Sequence, residues 1–209
     1  HDECVIVTHT STAPSPHTVT VREISEADHV VLTATVTATS SGPIDRVVVA
    51  TSLSTELFLE HGWQSWSTVR VATPLDIRPE RADAPRWFQS QMLADREGAG
   101  RELAGDTFLV FDGGVIGALS SRRQFTRFVV SSNGAIRIEW LLDNRHVTAG
   151  ETVELEPVAV ITGEPGEAYT RYASLASHGA RPPYEPSPAW CSWYHYFGDI
   201  TPHDIRENL

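Results

Sequence analysis

Short segments that alternate β-branched residues with smaller or polar ones dominate the first part of the chain. VTVREIS and VVLTATVTATS show this pattern, and IDRVVVATSL resumes it after the breaker SSGP. Side chains on a strand point alternately to its two faces, so the alternation predicts half-buried antiparallel strands. We therefore expect strand after strand from Cys4 to about Leu59.

Two later segments have the signature of β-hairpins. GDTFLVFDGGVIGALSS would turn at Asp112-Gly113-Gly114, and QFTRFVVSSNGAIRIEWLLD would turn at Asn133-Gly134. ETVELEPVAVITG adds a further strand, whereas the prolines and polar run within residues 70–105 predict a long excursion off the sheet. The eight to twelve strands expected before residue 163 predict a mainly β fold, a large two-sheet antiparallel β-sandwich.

The hydrophobic period changes after residue 163. EAYTRYASLASHGA places Tyr169, Tyr172, Ala173 and Ala176 on one helical face, and the proline-rich RPPYEPSP follows as a connection. The predicted domains are a sandwich at 1–163, a linker helix and connection at 164–187, and the start of another domain at 188–209.

The last segment has the pattern of one β-α unit. Residues 189–193 are apolar enough for a buried strand, and Pro188 suits its first position. Thr201 is a good N-cap, with Pro202 at N1 and Asp204 at the capping-box position. Parallel (β/α)8 barrels (TIM barrels) consist of such units and need about 250 residues, so we expect a truncated barrel start.

Charge and cysteine content limit the classes of partner. Sixteen basic against 27 acidic residues give a net charge of −11, which disfavours nucleic acid or an anionic membrane as a partner. No apolar run approaches the roughly eighteen residues of a membrane helix. Cys4 and Cys191 form neither a disulfide framework nor a metal-ligand spacing, and HDECVIVTHT has no signal-peptide pattern. We therefore expect a cytoplasmic protein without a metal site.

Two tryptophan pairs are candidate binding residues. GWQSW contains Trp63 and Trp66, and WCSWY contains Trp190 and Trp193 followed by Tyr194. Sugars have apolar C–H faces and a polar rim, so their pockets combine flat aromatic rings with a few hydrogen-bonding groups. Packing in a core or an interface is the alternative for each tryptophan.

HGWQSWS followed by WCSWYHYFGDIT resembles the microbial α-galactosidases (melibiases) of glycoside hydrolase family 36. The resemblance implies a large N-terminal β-sandwich, a linker helix and a catalytic (β/α)8 barrel. It also implies that Trp193 and Tyr194 line a galactose pocket from the barrel side. From a sandwich loop that reaches over the barrel mouth, Trp66 is expected to contact the sugar, with Trp63 as the alternative.

The same resemblance implies that this chain carries no catalytic residue. Family members are retaining hydrolases that use two aspartates on later barrel strands, without a metal or an organic cofactor. Those positions lie outside the 209 residues, as does a sugar-binding lysine, and the chain has no lysine. We expect Glu56 and Glu60 to be solvated or strand-edge charges and Asp199 to be a polar residue flanking the last helix.

The expected function is that of the N-terminal portion of a retaining α-galactosidase, which removes terminal α-linked galactose from oligosaccharides. The 209-residue chain alone is expected to be inactive. The resemblance also implies a homo-oligomer for the full-length protein, because family members often form tetramers. Two alternatives remain at this point: a non-catalytic carbohydrate-binding β-sandwich, and a related transglycosidase or α-N-acetylgalactosaminidase.

Overall fold

The computed structural model describes residues 3–4, 17–62, 69–76, 103–178, 199 and 201–207. The strands are β1 (Glu3–Cys4), β2 (Thr18–Ser25), β3 (Val30–Thr37), β4 (Gly42–Ser54), β5 (Phe58–Glu60), β6 (Arg70–Ala72), β7 (Leu103–Asp106), β8 (Phe108–Phe111), β9 (Gly114–Ala118), β10 (Phe125–Val130), β11 (Ala135–Val147), β12 (Thr152–Glu154) and β13 (Val158–Thr162). The helices are a 3-10 turn (Pro74–Asp76), α1 (Pro165–Ala176) and α2 (Pro202–Glu207). None of the helices in these ranges has the length and apolar character that crossing a membrane requires.

The described strands form two antiparallel sheets. The larger has the order β1-β2-β3-β13-β9-β8-β5-β6, with β12 also paired to β3, and the smaller has the order β4-β11-β10-β7. One hydrophobic core takes side chains from both sheets, as two packed sheets require. The prediction of a mainly β, antiparallel fold is confirmed, and the arrangement is consistent with a β-sandwich.

Trp140 of β11 lies at the centre of this core. Its side chain is fully buried, and its indole Nε1 donates a hydrogen bond to the backbone oxygen of Glu156 at 2.9 Å. That bond satisfies the ring's polar atom, so the large aromatic surface is buried without an unpaired donor. Phe58 and Phe128 pack in the same core from the two different sheets.

Both predicted hairpins are confirmed. β8 and β9 pair with Phe111 opposite Gly114, so the chain reverses at Asp112-Gly113. β10 and β11 form the second hairpin, and Gly134 in its turn has a φ of 82°. An L-residue with a side chain is strained at this φ, which is why the Asn-Gly pair is a reliable turn signal.

Two details of the strand prediction differ from the structure. The segment ETVELEPVAVITG forms two strands, β12 and β13, because Pro157 has no N–H to continue the ladder. The excursion predicted for residues 70–105 is wrong at both of its ends, where β6 and β7 belong to the two sheets. Its centre lies outside the described residues.

The predicted linker helix exists as α1, and its start has a defined cap. The Glu164 carboxylate accepts the backbone N–H of Glu167 at 2.8 Å, and Pro165 occupies the first turn. Hydrogen bonds from the backbone N–H groups of Gly166 and Glu167 lower the pKa of Glu164. A carboxylate at a helix N-terminus is favourable because it satisfies free N–H groups and faces the positive end of the helix dipole.

α1 packs on the outer face of the larger sheet. Tyr172 is 4% exposed, and its hydroxyl donates to the backbone oxygen of Ala118 at 2.7 Å. Its ring covers Gly117, where a Cβ would lie only 2.5 Å from the tyrosine Cζ. Of the four residues that the helical period places on one face, Tyr172 is buried and Ala176 is partly buried, whereas Tyr169 and Ala173 are exposed. Ala168, which the period did not single out, is buried.

Candidate functional site

The two tryptophans predicted for the sandwich belong to the connection between β5 and β6, which we call the tryptophan loop (residues 61–69). Trp63 and Trp66 themselves, together with Trp193 and Tyr194, lie outside the described residues. Their predicted contacts with a sugar therefore stay predictions. The described residues show the frame on which the loop is built.

A short hairpin carries the tryptophan loop. β5 and β6 pair over three positions, and Glu60 lies opposite Arg70 at the last pair before the loop. β5 reaches the rest of the larger sheet through Phe58 opposite Phe111 of β8.

An ion pair between the buried Glu60 and the partly exposed Arg70 lies where β5 and β6 meet the tryptophan loop. Glu60 is 2% exposed, and its Oε2 lies 2.7 Å from Nε of Arg70. The hydrogen bond to Glu60 raises the pKa of Arg70. The prediction that Glu60 is a solvated or strand-edge charge is wrong, because it shares the inward face of β5 with the core residue Phe58. Glu56 is exposed, as predicted.

Arg70 also connects the hairpin to the turn that follows it. Its Nη1 lies 4.0 Å from Oδ1 of Asp76. The other carboxyl oxygen of Asp76 accepts the backbone N–H and the hydroxyl of Thr73, at 2.8 and 2.9 Å. One arginine therefore bridges the end of β5 and the turn after β6.

His61 is the first residue of the tryptophan loop, at the end where the chain leaves β5, and its side chain and backbone are both bound. Its Nε2 lies 2.9 Å from the backbone oxygen of Phe108, and its ring centroid lies 4.3 Å from the Phe108 ring. Its backbone forms an isolated parallel bridge to Gly105 of β7. Burial lowers the pKa of His61, so the imidazole is neutral at pH 7 and donates Nε2–H to the carbonyl.

Aromatic rings continue from the loop base to α1. The Phe108 ring contacts Tyr169 and Tyr172, with centroid separations of 5.4 and 5.7 Å. The base of the tryptophan loop and the helix therefore rest on the same side chain. Sequence alone missed this role of His61 and Phe108; the only signal was the alternation in FLEH, which places His61 on the face opposite Glu60.

A second set of buried charges lies on the outward face of the smaller sheet. Nε of Arg127 lies 3.2 Å from Oδ1 of Asp106, in β7 directly beside the His61 bridge. Glu139 is 2% exposed and is bound by Arg137 at 2.7 Å and more weakly by Arg46 at 3.5 Å. Each carboxylate is held by arginine, so this set serves the sheet rather than proton transfer.

The described part of the chain contains no group of three or more His, Cys, Asp or Glu side chains that would hold a metal ion. The buried carboxylates described above are engaged one by one, by arginine or by backbone. A retaining glycosidase instead needs two carboxyl groups about 5–5.5 Å apart at a cleft.

The tail is a separate compact part of the chain, residues 179–209. The predicted capping box is confirmed: the Thr201 backbone N–H donates to the Asp204 carboxylate at 2.8 Å, and the Asp204 N–H donates to the Thr201 hydroxyl at 3.3 Å. Hydrogen bonds from the Thr201 hydroxyl and from the Thr201 backbone N–H lower the pKa of Asp204. Asp199 is exposed, and the predicted strand before it lies outside the described residues.

The two antiparallel sheets and their shared core are consistent with a β-sandwich protein. Comparison with protein families identifies it further. The model of the family "Alpha-galactosidase, N-terminal" matches residues 26–162, and the chain belongs to this family. The matched range begins in the turn before β3 and ends with β13.

Proposed function

We propose that the chain is the N-terminal portion of a retaining α-galactosidase of glycoside hydrolase family 36, a melibiase. In this proposal the whole enzyme removes terminal α-linked galactose from oligosaccharides. The observation that carries the proposal is the family match over residues 26–162, which spans the strands from β3 to β13. The tryptophan pair at 63/66 lies within the matched range, and the pair at 190/193 supports the proposal beyond it.

The proposed division of labour gives this chain the binding surface and not the reacting groups. Trp66, with Trp63 as the alternative, contributes an aromatic face from the tryptophan loop. Trp193 and Tyr194 contribute from the first strand of a (β/α)8 barrel that begins at residue 188. Two aspartates on later barrel strands act as nucleophile and as acid/base catalyst, and the reaction uses no cofactor.

The charges of the described residues support this division. Glu60, Asp106 and Glu139 are bound by arginine side chains, and the buried Glu156 accepts the backbone N–H of Arg123 at 2.5 Å. A nucleophile or an acid catalyst must instead present a carboxyl oxygen to the substrate. The acidic surplus of the chain also suits a neutral sugar better than a phosphorylated one.

The test uses the full-length protein with an aryl α-galactoside, and with the matching β-galactoside as the control substrate. We expect hydrolysis of the α-anomer only, with retention of anomeric configuration by proton NMR, and no hydrolysis by residues 1–209 alone. Activity of the isolated chain would contradict our assignment of the catalytic residues. An inactive full-length protein that binds galactose would favour the carbohydrate-binding alternative.

A variant series tests the aromatic assignments. Trp66→Ala is expected to raise KM by about tenfold or more, because stacking of an aromatic ring on a sugar is lost, whereas Trp66→Phe retains part of it. Trp63→Ala is the matched comparison within the same loop. Preference for N-acetylgalactosaminides, or transfer to a sugar acceptor in place of water, would identify the related activities. We also propose that the whole enzyme is cytoplasmic and that it forms a homo-oligomer.

A further inference from the structure

The Asn133-Gly134 pair in the turn between β10 and β11 is a chemically reactive sequence as well as a turn signal. The chain has three asparagines, at 133, 144 and 208, and glycine follows only Asn133. Glycine has no Cβ, so its backbone nitrogen is open to close approach by a neighbouring group. Asn133 is exposed, so water also reaches its side chain. The pair therefore meets the two requirements for hydrolytic loss of the side-chain amide.

The reaction at such a pair is deamidation through a cyclic imide. The Gly134 backbone nitrogen bonds to Cγ of Asn133, the Cγ–Nδ2 bond breaks, and the displaced nitrogen takes up the proton from Gly134 and leaves as ammonia. Water then adds to one of the two imide carbonyls and opens the ring. Addition at the side-chain carbonyl leaves aspartate, whereas addition at the main-chain carbonyl leaves isoaspartate, whose backbone runs through the former side chain.

The folded turn engages each group that this reaction needs. The Gly134 N–H donates to the backbone oxygen of Ser131 at 2.8 Å, and the Gly134 carbonyl accepts the Thr55 N–H at 3.0 Å. Oδ1 of Asn133 accepts the Ala135 N–H at 3.1 Å. Ring closure removes the hydrogen from the Gly134 nitrogen and turns its peptide plane relative to Asn133, so these three hydrogen bonds cannot persist through it.

The surroundings of Gly134 leave its peptide little freedom to turn. Gly134 is buried, although Asn133 beside it is exposed. Its φ is 82°, and a Cβ at this position would collide with the Thr55 carbonyl. Attack on Asn133 therefore requires the end of the hairpin to open. We propose that Asn133 is a deamidation site that the folded hairpin keeps unreactive and that is modified when this turn opens or the chain unfolds.

The two products differ in their effect on the fold. Aspartate at position 133 keeps a carboxylate oxygen that accepts the Ala135 N–H, so the turn can form again. Isoaspartate adds one carbon to the backbone directly before Gly134, which shifts this residue from its place against Thr55. β11 pairs with both β10 and β4, so an altered turn at its start disturbs the pairing of the smaller sheet. Modification in the unfolded state therefore makes part of the unfolding irreversible.

The experiment compares deamidation rates in the full-length protein, kept at mildly alkaline pH either folded or in guanidinium chloride. Trypsin should release peptide 128–137 with Asn133 and peptide 138–145 with Asn144, and liquid chromatography with mass spectrometry resolves the amide, aspartate and isoaspartate forms. We expect Asn133 to react at least about tenfold more slowly in the folded protein, because opening must break three hydrogen bonds. Asn144 is the internal control, since Arg145 shields the nitrogen that follows it, and it should react slowly in both states.

Asn133→Asp is the matched variant for the products. It should fold with the Tm of the wild type, because its carboxylate can still accept the Ala135 N–H. After removal of the denaturant from wild-type protein, isoaspartate at position 133 should be depleted from the soluble fraction relative to aspartate. Equal rates of reaction in the folded and unfolded states would overturn the proposal, as would an unfolded chain in which Asn133 reacts no faster than Asn144.

Discussion

Replacement of Tyr172 tests whether α1 is an integral part of the sandwich. Tyr172→Phe removes one buried hydrogen bond, 2.7 Å long, to the Ala118 carbonyl, and we expect a loss of about 1 kcal/mol in the free energy of unfolding. Tyr172→Ala also removes a ring that is 4% exposed, for a total loss of about 4 kcal/mol. At this chain length that loss lowers Tm by about 12 °C.

The assay is equilibrium urea unfolding at pH 7, followed by far-UV circular dichroism and by tryptophan fluorescence. Fluorescence of the six tryptophans, of which Trp140 is fully buried in the core, and circular dichroism of the backbone should change together if the fold unfolds in one step. Tyr169→Ala is the control, because this residue is 43% exposed and contacts the same Phe108 ring at 5.4 Å. It should cost about 1 kcal/mol or less.

A Tyr172→Ala protein that is no less stable than Tyr169→Ala would refute this reasoning. It would mean that the outer face of β9 tolerates the loss of its cover and that α1 contributes little to the fold. Separate transitions by circular dichroism and by fluorescence would lead to the same conclusion.

Three further predictions concern backbone geometry and pH. Gly134→Ala should destabilise the chain by about 1–3 kcal/mol in urea unfolding, because φ is 82° and a Cβ would collide with the Thr55 carbonyl. Burial lowers the pKa of His61 below 6.5, so stability should be full above pH 6.5 and should fall as the pH drops further; His61→Phe should lack this acid limb. Burial raises the pKa of Tyr172 from 10.0 to about 12, so stability should decline between pH 10 and pH 12, and Tyr172→Phe should flatten that decline.

The sequence predicted those parts of the fold that depend on local chemistry. Asn133-Gly134 fixes its turn through the positive φ of Gly134, and Asp112-Gly113 forms a two-residue loop between paired strands. Thr201 with Asp204 caps its helix through neighbouring atoms. The buried face of α1 was harder, since Tyr169 and Tyr172 both satisfy a helical period. Only the surface of β9, with its bare Gly117, decides which ring is buried.

The sequence could not predict which residues pair with the buried charged and polar side chains, because the partners lie far apart along the chain. Glu60 meets Arg70 only because a hairpin brings together residues ten positions apart, and an isolated glutamate in a sequence is most often solvated. His61 reaches Phe108 across 47 positions. The sugar contacts predicted for Trp63, Trp66 and Trp193 rest on motif resemblance alone, and measurements of galactose binding and of KM in variants would test them.

The docking of α1 has a consequence for how this module is inherited and exchanged. The family match ends at residue 162, yet the compact part of the chain continues to His178. Val115 and Ile161 are buried on the outer face of the larger sheet in contact with Ala168 and Tyr172. A gene fusion or an expression boundary set at residue 162 would bare that apolar face and invite aggregation. A boundary after residue 178 keeps the helix, so the part of the chain that should be transferred together is longer than the range that the family model matches.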